Sequence, residues 1–312
     1  MPSGFDTLSF FQWLLRPRQR HYTKEEKSHL PAVIPDPLQR IAALGNKDFI
    51  LWIGHNSFLI RIKGVFWITD PVFSARVLMV KRKIPPALTA AEINGLTHDL
   101  RVIITHNHYD HLDLPSLKQL SSASQIFLPL GLGAMVAKLG NAEIFEMDWW
   151  QERNLGEGVE LVCLPAQHSS GRLGQKKDST LWASFLLKTP KTTFFFGGDS
   201  GYFRGFGEIG KYYPKIDFAF LPIAACHPRW FMHYNNLDVE ESLRAFEDLK
   251  AHFFIPTQWG TFNLSEEPPG YPALALQRKI AESRRDPTPF RVMDVGELLI
   301  LDEKAPGMRI KR

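Results

Sequence analysis

Apolar residues recur along this chain in two periods. From position 48 come short runs of apolar and β-branched residues at 49–53, 57–62 and 65–69, separated by Gly54-His55-Asn56 and Lys63-Gly64. That spacing predicts an antiparallel meander with hairpin turns. Further strands are predicted at 101–104, 126–129, 143–147, 159–164, 181–187, 192–196, 217–221, 252–256, 290–293 and 298–301. Helical periodicity marks 132–139, closed by Gly140, and 237–250, where Asp238 is an acid suited to the first turn. It also marks 273–282, and a short helix is predicted at 116–120 with Pro115 near its start. The two halves repeat this style without a composition break or a solenoid repeat. The pattern fits one α/β domain of two sheets face to face with helices outside.

The segments outside this pattern are basic and apolar. Residues 8–15 are mostly apolar and include Trp13, and Arg16, Arg18 and Arg20 follow at once. A short helix here would lie on a membrane surface or pack on the body of the protein or a partner subunit, and Pro17 cuts it short. It lacks the flanks of a signal peptide, and no apolar run reaches membrane-spanning length. Residues 22–47, punctuated by Pro31, Pro35 and Pro37, read as an extended or partly helical lead-in. We therefore set 1–47 apart as an N-terminal extension and take 48–312 as the main domain. The loop 74–86 interleaves Arg76, Lys81, Arg82 and Lys83 with Val77-Leu78-Met79-Val80. It reads as a solvated loop or as a basic, apolar rim to a site.

Composition narrows the classes. Hydrophobic content of 44% and charged content of 22% suit a globular protein with a large core. A net charge of +4 is compatible with phosphate-bearing substrates or an anionic membrane surface, and is too weak to argue for nucleic acid. Cys163 and Cys226 are far apart in sequence; one disulfide is open to them but no framework is suggested, so a reducing, cytoplasmic setting is expected, with peripheral membrane contact as a further candidate.

The chemistry concentrates in Thr105-His106-Asn107-His108-Tyr109-Asp110-His111, on the loop between a predicted strand and a predicted helix. Ligands of open α/β layers bind at such strand ends. Histidine makes up only 11 of 312 residues, so His106, His108, Asp110 and His111 within one loop point to metal ligation. His106 and His108, two apart in extended backbone, point the same way. Four other strand ends carry suitable side chains: Asp70, His168, Asp199 after Gly197-Gly198, and Gln258. Asp70 is placed to orient a ligand histidine from behind.

These stretches together resemble the metallo-β-lactamase superfamily, in the branch that includes N-acyl-phosphatidylethanolamine phospholipase D and its bacterial relatives. The similar stretches run from Trp52-Ile53-Gly54-His55-Asn56-Ser57-Phe58 through Thr69-Asp70-Pro71 and the histidine loop. Gln167-His168, Gly198-Asp199-Ser200-Gly201-Tyr202, Pro228-Arg229-Trp230-Phe231-Met232 and Trp259-Gly260-Thr261-Phe262 continue it. The resemblance implies a four-layer αββα sandwich with a two-metal hydrolase site along one edge. It implies His106, His108 and His168 on the first metal and Asp110 and His111 on the second. Asp199 would bridge the two, and Asp110 and Asp199 would be the catalytic carboxylates. Asp70 and His55 stand behind the ligands. The ions would be zinc, one or two, with manganese or iron as candidates for the second site.

This chain departs from that pattern at three places. Gln258 stands where the family usually has a histidine ligand, and an amide offers only its carbonyl oxygen. Such an oxygen-rich second site would favour a harder ion. The alternative is that Gln258 turns away to hydrogen-bond a neighbour. Asn236 replaces a common histidine, and Cys226-His227 a common Tyr-Glu. With Arg172, the residues His227 and Asn236 are the candidates on the substrate side. The implied activity is hydrolysis of a phosphodiester, of the phospholipase D type, on an N-acyl-phosphatidylethanolamine-like phospholipid. A lactonase, a sugar-phosphate hydrolase and a metal-binding protein with little turnover are the alternatives. The expected partners are a small-molecule or phospholipid substrate, a membrane surface and a second copy of the chain, with no nucleic acid.

Overall fold

The meander forms as predicted, with strands Asp48–Gly54, Ser57–Ile62 and Val65–Thr69. Its second turn places Lys63 at φ 50° and Gly64 at φ 81°, the double positive φ of a tight hairpin turn. The computed structural model describes residues 21–140 and 142–301. Backbone contacts divide them into two compact units. One holds residues 31–148, 170–181 and 293–301, and the other 21–30, 149–169 and 182–292. The apolar stretch at 8–15 lies outside the described residues.

The first unit is built on a seven-stranded sheet. Its spatial order is Leu298–Leu301, Asp48–Gly54, Ser57–Ile62, Val65–Thr69, Leu100–Ile103, Ala123–Pro129, Glu143–Met147. Strands from Val65–Thr69 onward pair in parallel, with Thr69 beside Ile103 and Ile103 beside Phe127. The loops that follow Thr69 and Ile103 therefore emerge at one sheet edge. Phe49, Leu51, Ile53, Leu59, Ile68, Val102 and Ile104 pack with Ile41, Ile93 and Leu117, which come from the helices Pro37–Ala43, Ala90–Leu96 and Leu114–Gln119.

The second unit is built on a six-stranded sheet. Its order is Phe253–Thr257, Phe218–Pro222, Thr193–Phe196, Ser184–Lys188, Glu160–Leu164, Glu152–Asn154. The first three are parallel, and Ser184–Lys188 runs antiparallel to both its neighbours. Glu160–Leu164 thus runs the same way as the parallel three, and the loops carrying His168, Asp199 and Gln258 leave one edge. Phe194, Phe218 and Phe253 stack across the parallel strands with ring centroids 5.5 and 5.3 Å apart. Helix Val239–Leu249 is closed by Asp238 at its N-cap, not within its first turn. The Asp238 carboxylate accepts from the Glu241 N–H at 2.9 Å and completes a capping box.

Some expected elements differ. The helix at 132–139 is only Gly133–Val136. No strand forms at 290–293, where Phe290 makes a single bridge to Phe254. The loop 74–86 contains the two-residue ladder Arg76–Val77 with Val80–Lys81. Strand Glu152–Asn154 and helices Ala90–Leu96, Gly205–Tyr212 and Arg229–Met232 were not predicted.

Candidate metal centre

The first unit carries the histidine loop directly after Leu100–Ile103. Asp70, at the neighbouring strand end and fully buried, holds it. Its Oδ1 accepts the Thr105 N–H at 2.8 Å. Its Oδ2 accepts from the Thr105 hydroxyl at 2.8 Å, Asn56 Nδ2 at 3.1 Å and His111 Nδ1 at 2.7 Å. A carboxylate has only lone pairs to offer, so the His111 proton sits on Nδ1 and Nε2 is left as a ligand atom. The same logic runs one step further. The Thr105 hydroxyl spends its proton on Asp70, so it accepts from His106 Nδ1 at 3.0 Å, and the lone pair of that ring falls to Nε2. Asp70 adopts this role at φ 33°, in the left-handed region, which non-glycine residues rarely occupy.

His55, Asp110 and His111 each turn one donor atom to within 4.8 Å of the others. His55 Nε2 is 2.9 Å from Asp110 Oδ2, and His111 Nε2 is 3.4 Å from the same oxygen. Burial alone would raise the Asp110 pKa. The charges and hydrogen bonds of His111 and His55 outweigh it and hold the carboxyl well below its ordinary range. His106 Nε2 and His108 Nδ1 lie 2.9 Å apart on the same loop. Both ring nitrogens thus face one point.

In the second unit, His168 Nδ1 donates to the Asn235 carbonyl at 2.8 Å, which leaves Nε2 directed at Asp199 Oδ2, 3.7 Å away. Asp199 is 8% exposed. The glycines before it are needed for close approach, since a Cβ on Gly197 would meet the Phe220 carbonyl at 2.9 Å. Gln258 adopts φ 67° and is buried. Its amide nitrogen donates to Asp199 Oδ1, so the structure turns the side chain toward its neighbour by nitrogen, not by carbonyl. The donor set suits a divalent transition ion. His106 and His111 in the first unit and His168 in the second are buried, each with Nδ1 tied and Nε2 turned toward a carboxylate or a second imidazole.

The substrate-side candidates all have partners within their own units. The Arg172 guanidinium donates to the carbonyls of Asn107 and Leu112 at 2.9 and 2.7 Å and lies 3.9 Å over the Tyr109 ring. Burial lowers its pKa, and the guanidinium clamps the histidine loop. The backbone N–H groups of Cys226 and His227 donate to the two oxygens of Glu267 at 2.8 and 3.0 Å. Asn236 packs its amide 3.9 Å from the Met232 sulfur. Sequence reasoning did not single out Asn56, Thr105, Asn235 or Glu267. The triplet His55-Asn56-Ser57 beside the buried Asp70 was the one local signal for Asn56.

Residues 67–259 match the family model described as the Beta-lactamase superfamily domain. The chain belongs to the metallo-β-lactamase superfamily and is a metal-dependent hydrolase. Within that superfamily it is related to the N-acyl-phosphatidylethanolamine-hydrolysing phospholipases D. It is 29% identical over 269 residues to phospholipase D 1 of that description from Caenorhabditis elegans, covering 80% of this chain and 75% of the relative. It is 34% identical over 270 residues to an uncharacterised protein of Mycobacterium tuberculosis, covering 82% and 70% respectively. Igni18, a metallo hydrolase of Ignicoccus hospitalis, matches the structure with a TM-score of 0.63 at 21% identity, over 83% of this chain and all of that one. This is the expected α/β fold class of the metallo-β-lactamase type. Among the described residues no helix is long and apolar enough to cross a membrane.

Proposed function

We propose that the chain cleaves a phosphodiester by the phospholipase D route, separating phosphate from headgroup alcohol in an N-acyl-phosphatidylethanolamine-like phospholipid. The similarity to the C. elegans phospholipase D over 80% of this chain carries the reading. In it, His106, His108 and His168 hold a first zinc ion, and Asp110 and His111 a second, with His55 behind Asp110. Asp199 is shared, and manganese or iron is an alternative for the second position. When bound, such ions polarise phosphoryl oxygens and make water a nucleophile near neutral pH. The chain's own part is orientation. Asp70 sets the imidazole tautomer of His111 directly and that of His106 through Thr105, and the Asn235 carbonyl sets that of His168. His227 and Asn236 line the substrate side. The substrate is met at a membrane surface from the cytoplasm.

A panel of phospholipids, soluble phosphodiesters, lactones and sugar phosphates tests the proposal on zinc-loaded protein. Release of phosphatidate and free headgroup alcohol, lost in His108→Ala, is the expected result. Turnover confined to lactones or sugar phosphates would overturn it.

A further inference from the structure

Among the described residues, the two most exposed large apolar side chains are Leu173, at 92%, and Met79, at 86%; Leu78 beside Met79 is 62% exposed. All three sit on loops of the first unit. Leu78 and Met79 form the tip of the hairpin in which Arg76 pairs with Lys81. Arg76, Lys81 and Lys83 are exposed around them, and positions 71–91 contain no acidic residue. Leu173 lies in Arg172-Leu173-Gly174-Gln175-Lys176-Lys177, whose two lysines are also exposed.

Both tips are tied down by hydrogen bonds, and both are anchored to the segment that carries the histidine motif. Arg82, buried beneath the hairpin, donates to the Ser74 and Val72 carbonyls at 3.2 and 2.5 Å. The Phe73 N–H donates to Ser116 Oγ at 2.7 Å and Ser74 Oγ to Asp113 Oδ2 at 2.5 Å. On the other loop, the Gly171 N–H donates to Asn107 Oδ1 at 2.8 Å and the Leu173 N–H to Tyr109 Oη at 3.1 Å. Residues 107–116 are thus the common footing of both tips.

We propose that these two loops are a docking surface for an anionic phospholipid bilayer, with Leu78, Met79 and Leu173 entering the acyl boundary. Arg76, Lys81, Lys83, Lys176 and Lys177 meet the headgroup phosphates. Large apolar side chains held out into water are unfavourable unless a surface covers them. Here the hairpin tip stands among cations with no acid in its stretch, and the Leu173 loop sets two lysines against the single acid Asp178. That combination of apolar insertion and positive charge is what an anionic interface rewards. Because the loops rise from the metal-ligand segment, docking would bring that segment to the lipid. The inference deepens the phospholipid reading and rests on it for its purpose.

The full chain is tested by cosedimentation with vesicles of phosphatidylcholine alone and of phosphatidylcholine mixed with phosphatidylglycerol, at low and high salt. Any contribution of residues 1–20 is common to all variants. Wild type should pellet with the anionic vesicles and be released by salt. The variant L78S/M79S/L173S should bind roughly tenfold more weakly or worse, and K81E/K83E likewise on anionic vesicles. Turnover of a soluble phosphodiester should stay unchanged in both. Should the serine variant fail to fold, the exposed charge pair decides alone. Equal binding by wild type and variants, or equal binding to neutral and anionic vesicles, would overturn the proposal. So would loss of self-association in the serine variant without vesicle binding by wild type, which would assign the tips to a second copy. Loop-dependent vesicle binding with no phospholipid hydrolysed would remove the phospholipase reading and leave the docking surface. Vesicle hydrolysis unaffected by the substitutions would do the reverse.

Discussion

Asp70 Oδ2 lies 2.7 Å from His111 Nδ1, with both side chains fully buried. The carboxylate fixes which imidazole nitrogen keeps the proton, and so which one is a ligand. Asp70→Asn removes the charge and presents a donor where the ring requires an acceptor. Affinity for the ion held by Asp110 and His111 should fall about 10- to 100-fold. Calorimetric titration of metal-stripped protein measures this, and unchanged affinity would reduce Asp70 to a purely structural part.

Gln258 reaches Asp199 through its amide nitrogen. An imidazole at that position could bring a bare nitrogen to an ion without donating to the carboxylate. Gln258→His should tighten the second equivalent of Zn²⁺, while Gln258→Ala should alter it little. Two matched, tight Zn²⁺ equivalents in wild type, untouched by Gln258→His, would refute the argument.

Burial, reinforced by the charges of Glu267 and Asp238, raises the Cys226 thiol well above its ordinary pKa. The unfolded thiol ionises near pH 8.5, so the folded state's advantage is full below that pH and is lost as pH rises beyond it. Chemical denaturation at stepwise higher pH should show stability falling more steeply in wild type than in Cys226→Ala. Native protein should also resist thiol reagents near pH 8, since Cys163 is buried too. Ready labelling of folded protein would contradict this.

Glu267, 2% exposed, accepts the N–H groups of Cys226 and His227. Glu267→Ala strands two buried donors and should cost about 1–3 kcal/mol for each left unsatisfied. Glu267→Gln keeps the shape, loses the charge and should lower the Cys226 thiol pKa. Thermal unfolding and thiol titration read the two effects separately.

What was legible in the sequence was local. His106, His108, Asp110 and His111 announce themselves by spacing within one loop, and the meander by its turns. The partners that tie them are long-range. Asn56 reaches Asp70, and His168 is held by Asn235 through a carbonyl that carries no residue identity. Helix Gly205–Tyr212 was hidden because Gly205, Gly207 and Gly210 argue against helix. Packing explains the choice, since a Cβ on Gly210 would lie 2.3 Å from the Asp248 carbonyl. Helix Ala90–Leu96 did leave a signal in Thr89-Ala90-Ala91-Glu92, the spacing of the capping box it forms. Pro287 and Pro289 leave Phe290 with a bridge and no strand.

The bonds from His111 and His106 into the Asp70–Thr105 pair, and from His168 to Asn235, are all made by the polypeptide to itself. A chelator that strips the ions therefore removes no strut from either unit. The emptied protein should keep its unfolding cooperativity and recover full turnover when metal returns, without passing through a denatured state. Such a chain behaves as a socket. In a cell, the fraction at work at any moment would follow the free concentration of the ion, and starvation for metal would idle the enzyme without destroying it.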